Sequence, residues 1–226
     1  MLATRSNKLE RIDTGDYTTA EYERFLREIR LVNRLTGDLR TLKKALFRHI
    51  EKQDLPEFSV LDVGAGSGEM LAFIREFASR SGRKAHLTGL DLNEISARTI
   101  AETPGIDTVR GDAFRLPFAD EAFDYAICSL FTHHLADADV VTALREMKRV
   151  SRRAIFVIDL HRSAVAVTLY KLFCAVFRIS PLVRDDGTLS IKRSFTPVEL
   201  LALAEKAGLK NPAVERRLVY RLVLSA

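Results

Sequence analysis

Apolar positions in the first fifty residues recur at three- and four-residue steps. Tyr22, Phe25, Leu26, Ile29, Val32 and Leu35, with Asn33 among them, fall on one side of a helix opening near Thr18. Thr18 and Thr19 are good N-caps, and Glu21 stands three residues after Thr18, as in a capping box. Gly37 supplies a helix stop. A second helix through Leu42, Leu46 and Ile50 follows, ending near Lys52.

From Phe58 the rhythm changes to short apolar runs alternating with amphipathic stretches. The runs 58–63, 86–92, 108–110, 122–129 and 154–159 read as strands. Between them, 70–79, 94–102 and 137–150 read as helices. This alternation predicts an α/β fold, a parallel sheet with helices on both faces. Beyond it come an apolar helix at 163–177, a polar loop at 184–193, and a helix with Thr196 as N-cap and Pro197 at its first position. Gly208 ends that helix. Runs 214–217 and 219–224 complete the strands.

The chain has 226 residues, long enough for a sizeable core. Its 47% hydrophobic and 29% charged residues exclude wholesale disorder. Two cysteines are too few for a disulfide scaffold and point to a reducing compartment. Without a Cys-x-x-Cys or His-Glu-x-x-His pattern, no metal is expected. The N-terminus carries no apolar secretory core and 163–177 is too short to span a bilayer, so a cytoplasmic protein is expected, with room for peripheral contact with lipid. Charge divides unevenly: net +2 over 1–57, −6 over 58–144 and +9 over 145–226. The acidic middle argues against a nucleic-acid groove there. The basic last third is either a solvated face or a surface for an anionic partner.

The most informative segment is Val60-Leu61-Asp62-Val63-Gly64-Ala65-Gly66-Ser67-Gly68, where a strand turns into a helix. Ligands of open α/β sheets bind at such turns. The dinucleotide pattern Gly-x-Gly-x-x-Gly/Ala fails in either register, its last position falling on Glu69 or Leu71. A P-loop is excluded because no Gly-Lys-Ser/Thr follows. Asp62 and Glu69 would repel a pyrophosphate, whereas a ligand with a sulfonium and an ammonium group suits them. Asp91, ending the second strand, can accept from a ribose diol. Asp112, after the third, can accept from an exocyclic amine while the next backbone N–H meets a ring nitrogen.

These features, with VLDVGAGSGEM, LTGLDLNE, VRGDAFRLPFADEAFDYAICS and ALREMKRVSRRAIFVIDL, resemble the class I S-adenosylmethionine-dependent methyltransferases over residues 56–160. LPF and FDYA are similar to the small-molecule branch often labelled type 11. SLFTHHL, VIDLHRS and RDDGTLSIKRSFTPVEL resemble bacterial methyltransferases found near polyketide synthase genes. The resemblance implies a Rossmann-like, seven-stranded sheet with its last strand antiparallel, a helical N-terminal cap over 1–55, and a methyltransferase domain over 56–226 with an apolar helical insertion at about 163–180. It places Asp62, Gly64, Ala65, Gly66 and Gly68 around the methionine part of S-adenosyl-L-methionine and Asp91 on the ribose. Asp112 and Ala113 meet the adenine, Leu92 and Phe114 sandwich it, and Ser129 lies under the sulfonium. Asn/Asp-Pro-Pro-Tyr, the mark of amino-nitrogen methylation, is replaced by CSLFTHH.

Methyl transfer to an acidic acceptor needs alignment and at most a general base. His133 and His134, after the fourth strand, both suit that role, His133 marginally better. Tyr22 on the N-terminal helix, His161 and Arg162 after the fifth strand, and Arg193 before the Thr196 cap are candidates for substrate contact; each also has a structural reading. Helix 163–177 either lines an apolar pocket or packs in the core. The favoured acceptor is a small apolar molecule, aromatic or polyketide-like, methylated on oxygen. The alternatives are carbon methylation of a quinone or lipid, and a non-catalytic cofactor- or partner-binding protein on the same fold. An RNA or protein acceptor would call for a basic stripe interleaved with aromatics, which is absent.

Overall fold

The computed structural model describes residues 2–217 and 220–226. Seven strands form one sheet: β1 Glu57–Val63, β2 Lys84–Asp91, β3 Asp107–Arg110, β4 Phe123–Ser129, β5 Ser151–Leu160, β6 Ala213–Arg217 and β7 Arg221–Ser225. Their order is β3-β2-β1-β4-β5-β7-β6. Strands β1 to β5 pair in parallel, and β7 runs antiparallel to both β5 and β6. The expected α/β class and reversed last strand are therefore present. The run expected at 219–224 begins at Val219, which lies outside the described residues.

Each central strand feeds two apolar layers. In β1, Phe58 and Val60 pack against α5 (Glu69–Arg80) and the segment 38–52, while Leu61 and Val63 pack against α7 (Asp137–Val150). Strand β4 repeats the alternation, Tyr125 and Ile127 on one face and Ala126 and Cys128 on the other. Such strands read as continuous apolar runs because both faces are covered.

The N-terminal region divides by packing. A short α1 (Arg11–Thr14) precedes α2 (Thr19–Thr36), whose Thr18–Glu21 capping box forms as expected. Next come α3 (Asp38–Leu42), a π-helical turn Lys43–Phe47 and α4 (Arg48–Lys52). Leu42, Leu46 and Ile50 join the sheet's core. Tyr22, Phe25, Leu26 and Val32 of α2 instead pack with Cys174, Ile179, Leu182 and Val183. The cap over the sheet is thus shared between α2 and two later helices, α8 (Ala164–Val176) and α9 (Pro181–Arg193). Arg221 of β7 ties it down through a buried pair with Asp38 and a 2.7 Å bond to Thr36 Oγ1.

The segment 184–193, expected as a polar loop, is the body of α9. Pro181 opens that helix, and Val183, Asp186, Ser190 and Ile191 are buried along it. Gly187, which looks like a loop residue, is a packing residue. A Cβ there would lie 2.2 Å from the Tyr170 hydroxyl, which donates to Val183 O at 2.8 Å. The last helix, α10 (Pro197–Lys206), starts at the Thr196–Glu199 capping box. Helix α6 (Glu94–Ala101) is capped by Asn93.

Candidate active site

The carboxyl ends of β1 to β5 open into one cavity of about 890 Å³, roofed by α2, α8 and α9. Its floor is the turn after β1. Gly64 (φ 72°) and Gly66 (φ 56°) adopt left-handed backbone that disfavours side chains. A Cβ on Gly64 would also lie 2.7 Å from the Phe131 ring. The turn is held to the next strand: Gly64 N and Ala65 N donate to Leu90 O, and Gly66 N donates to Asp91 Oδ2 at 2.8 Å.

Carboxylates dominate this floor. Asp62 is fully buried, and burial together with the Asp91 charge pushes its carboxyl up to about 8. Its Oδ1 has no hydrogen-bond partner. Burial also raises Asp91, although Gly66 and Asn93 N–H groups partly offset it. Asp112, after β3, is exposed and accepts from Phe114 N at 2.9 Å. Ser129 Oγ at the end of β4 and Asn33 Oδ1 of α2, which both line the cavity, are likewise buried without partners. Leu92 and Phe114 line it too, 66% and 36% exposed. Uncompensated acids, orphaned polar atoms and bare apolar side chains around one space suit a bound cation with polar and aromatic parts.

Across the cavity, β4 ends in a 3₁₀ turn, Thr132–His134. Asp159, fully buried at the end of β5, accepts from His133 Nδ1 at 2.6 Å, from His133 N at 3.0 Å and from the Thr132 hydroxyl. Burial opposes its charge, but the His133 ring and these hydrogen bonds prevail and hold its carboxyl at about 2. Asp159 is therefore an anion engaged with His133 Nδ1, which leaves Nε2 as the ring nitrogen that this pair does not use. His134 is held by a second acid, its Nδ1 lying 2.7 Å from Asp13 Oδ1. Glu10, buried beside it, is pushed up to about 7 by burial. Glu10, His133 and His134 set one ligand-type atom each within 4.8 Å of one another, a spacing that suits a metal ion. The Arg193 guanidinium, 3.7 Å from Glu10 Oε1, already supplies positive charge there.

Of the residues singled out in the sequence, Asp62, Gly64, Ala65, Gly66, Asp91, Leu92, Asp112, Ala113, Phe114, Ser129, His133, His134 and Tyr22 all line this cavity. Gly68 does not border it directly but caps α5 (φ 72°). Tyr22 is buried and bonds Ser96 Oγ at 3.0 Å. The structure places the other three outside the cavity lining. Arg162 is buried away from the cavity, spending its guanidinium on Glu199, Ser194 O and Leu2 O. Arg193 is buried behind the histidines, donating to Asp13 and to the carbonyls of His133 and His134. His161 stacks on Tyr220 instead of facing the cavity. Glu10 and Asp13 were not foreseen, since nothing local marks the segment before Thr18 as part of a site. Asp159 was not singled out either, although a carboxylate that ends an apolar strand is the signal that could have found it.

The parallel sheet with one reversed strand, the glycine turn and the acids at successive strand ends define a nucleoside-binding α/β protein of the methyltransferase class. A family model described as a methyltransferase domain matches residues 60–154. The demethylmenaquinone methyltransferase of Bacillus licheniformis is 30% identical over 169 residues, covering 68% of this chain and 71% of that protein. That of Staphylococcus epidermidis is 31% identical over 121 residues, 52% of this chain. The chain spans about half the length of that Staphylococcus relative, 48%. The plantazolicin methyltransferase BamL, solved in complex with a triazolic desmethylPZN analogue and S-adenosylhomocysteine, superposes with a TM-score of 0.63 at 17% identity, over 80% of this chain and 65% of that one. A methyltransferase from Aquifex aeolicus superposes with 0.55 at 16% identity, over 84% and 97%. The chain belongs to the class I S-adenosylmethionine-dependent methyltransferases, whose cofactor is S-adenosylmethionine.

Proposed function

We propose that this protein transfers a methyl group from S-adenosylmethionine to a small apolar acceptor with an acidic hydroxyl, such as a phenol, on oxygen. The observation that carries this reading is the buried Asp159–His133 pair opening onto a largely apolar cavity beside the glycine turn. When bound, the cofactor supplies an electrophilic methyl carbon on a sulfonium. Asp62 and the turn at 64–66 would hold its methionine end, with Gly68 capping α5 behind them, and the raised carboxyl of Asp62 would ionise against the ammonium. Asp91 would accept from the ribose, Asp112 and Ala113 would meet the adenine edge and Leu92 and Phe114 its faces, and Ser129 would hold the sulfonium end.

On the acceptor side, His133 Nε2 takes the hydroxyl proton. Asp159 keeps the ring in that tautomer and stabilises the imidazolium that forms. His134, held by Asp13, closes the polar end. Phe25, Leu26 and Ile29 of α2 and Leu169 and Phe173 of α8 surround the apolar body of the acceptor and exclude water. A second reading, carbon methylation of a quinol, uses the same proton transfer. It is favoured by the relatives, which are named for demethylmenaquinone.

A panel of phenols and quinols is incubated with methyl-labelled cofactor, and products are assigned by carbon NMR. O-methyl signals support the first reading and ring C-methyl signals the second. Replacement of His133 by Asn lowers turnover about 10²- to 10⁴-fold on weakly acidic phenols and much less on acidic nitrophenols. Equal loss on both removes His133 as the base.

A further inference from the structure

Helix α8 is mostly apolar, Thr168 and Lys171 being exposed polar residues on it, yet much of its apolar surface is unpacked. Ala166 and Cys174 are buried, and Tyr170 and Phe173 border the cavity. Beside it Val165, Leu172 and Val176 follow at steps of seven and four, forming one stripe that meets the cavity-lining Leu169. Leu172 and Val176 are 61% and 67% exposed, and Phe177 continues the stripe past the helix end. Water-facing helices put polar side chains on such a side. Residues 160–184 contain no Asp or Glu. Lys171 and Arg178, both exposed, border the stripe.

We propose that this face of α8 docks on an anionic lipid surface. Helices that lie in a bilayer interface combine an apolar side with Lys and Arg, as here. A second copy of this chain fits the face less well. A two-fold contact through the stripe would set Lys171 and Arg178 against their own copies, and exposed Asp185, whose charge reaches Lys171, is already paired with Arg184. A stable dimer also buries about 800 Å² per partner, more than one short stripe offers. Docking has a consequence for access. Tyr170 and Phe173, on the inner side of α8, wall the cavity, so a bilayer-dissolved acceptor enters beside lipid instead of crossing water. That consequence rests on the reading that the acceptor is apolar; the docking is tested without any acceptor.

The full chain is floated with vesicles of phosphatidylcholine alone and of phosphatidylcholine mixed with phosphatidylglycerol. The protein is expected to float with the mixed vesicles, less with neutral ones, and less again at high salt. The double variant Leu172→Glu/Val176→Glu is expected to lose about tenfold or more in vesicle affinity while binding S-adenosylhomocysteine unchanged. Lys171→Glu/Arg178→Glu removes the preference for anionic lipid. The proposal is overturned if wild type fails to float, or if Leu172→Glu/Val176→Glu floats as well as wild type. It is equally overturned if light scattering finds a dimer that the Leu172→Glu/Val176→Glu variant dissolves while vesicles bind neither. Methylation of water-soluble acceptors is unaffected by either double variant, so failure of docking leaves the methyl-transfer reading standing.

Discussion

Asp62 couples ionisation to the ligand. Its carboxyl is raised from 3.8 to about 8 in the folded chain, so the folded state holds the proton where the unfolded chain has lost it. Stability is fully present below 3.8 and falls as pH rises through that window, levelling off near 8, where both states are ionised. In Asp62→Asn the melting temperature should lose most of this decline, as scanning calorimetry across the window would reveal. On the proposed placement of its ammonium against Asp62, binding of S-adenosylhomocysteine should release a proton near neutral pH. The measured binding enthalpy then varies with the ionisation enthalpy of the buffer, and in Asp62→Asn that variation disappears. Asp159 behaves in the opposite sense. Held at about 2, it remains ionised through the working range, so Asp159→Asn should lower turnover at every pH, by about 10²-fold or more, with cofactor affinity intact.

Helix α9 depends on a glycine for packing, against its local propensity. Alanine is favoured over glycine inside a helix by about 1 kcal/mol. At Gly187 that gain is outweighed, because the new methyl would fall on the Tyr170 ring and push α8 from α9. Overpacking costs about 1–3 kcal/mol, so Gly187→Ala should destabilise the protein in urea titrations. The sign of this measurement separates a packing glycine from a loop glycine. Local signals sufficed elsewhere. The capping boxes at Thr18 and Thr196 form as their spacing implied, and the glycine turn sits where β1 meets α5. They were readable because a cap or a tight turn is decided within four residues. Helix α9 was not, because its stability comes from Val183, Asp186 and Ile191 packing on distant partners.

On the scale of the whole molecule, residues 2–16 strap the site. Arg5 donates to Leu135 O at 3.0 Å and to Arg193 O at 2.6 Å, and its guanidinium lies 3.8 Å over the Phe195 ring. Asp13 holds His134 and pairs with Arg193. Removal of residues 1–16 should leave S-adenosylhomocysteine binding nearly intact and lower turnover by about 10²-fold, since misplacement of a reacting group by about 1 Å costs that much. Steady-state kinetics and calorimetry on the truncated chain test it. The sequence by itself determined the α/β class, the glycine turn and the acids at successive strand ends, because period, turn chemistry and strand polarity are properties of neighbouring residues. Only the tertiary structure decided that Asp159 orients His133. It also turned Arg162 and Arg193 inward to brace the cap, and brought Glu10 and Asp13 to the histidines. Those pairings join residues far apart in the chain, and which carboxylate meets which cation follows from packing that local patterns do not encode.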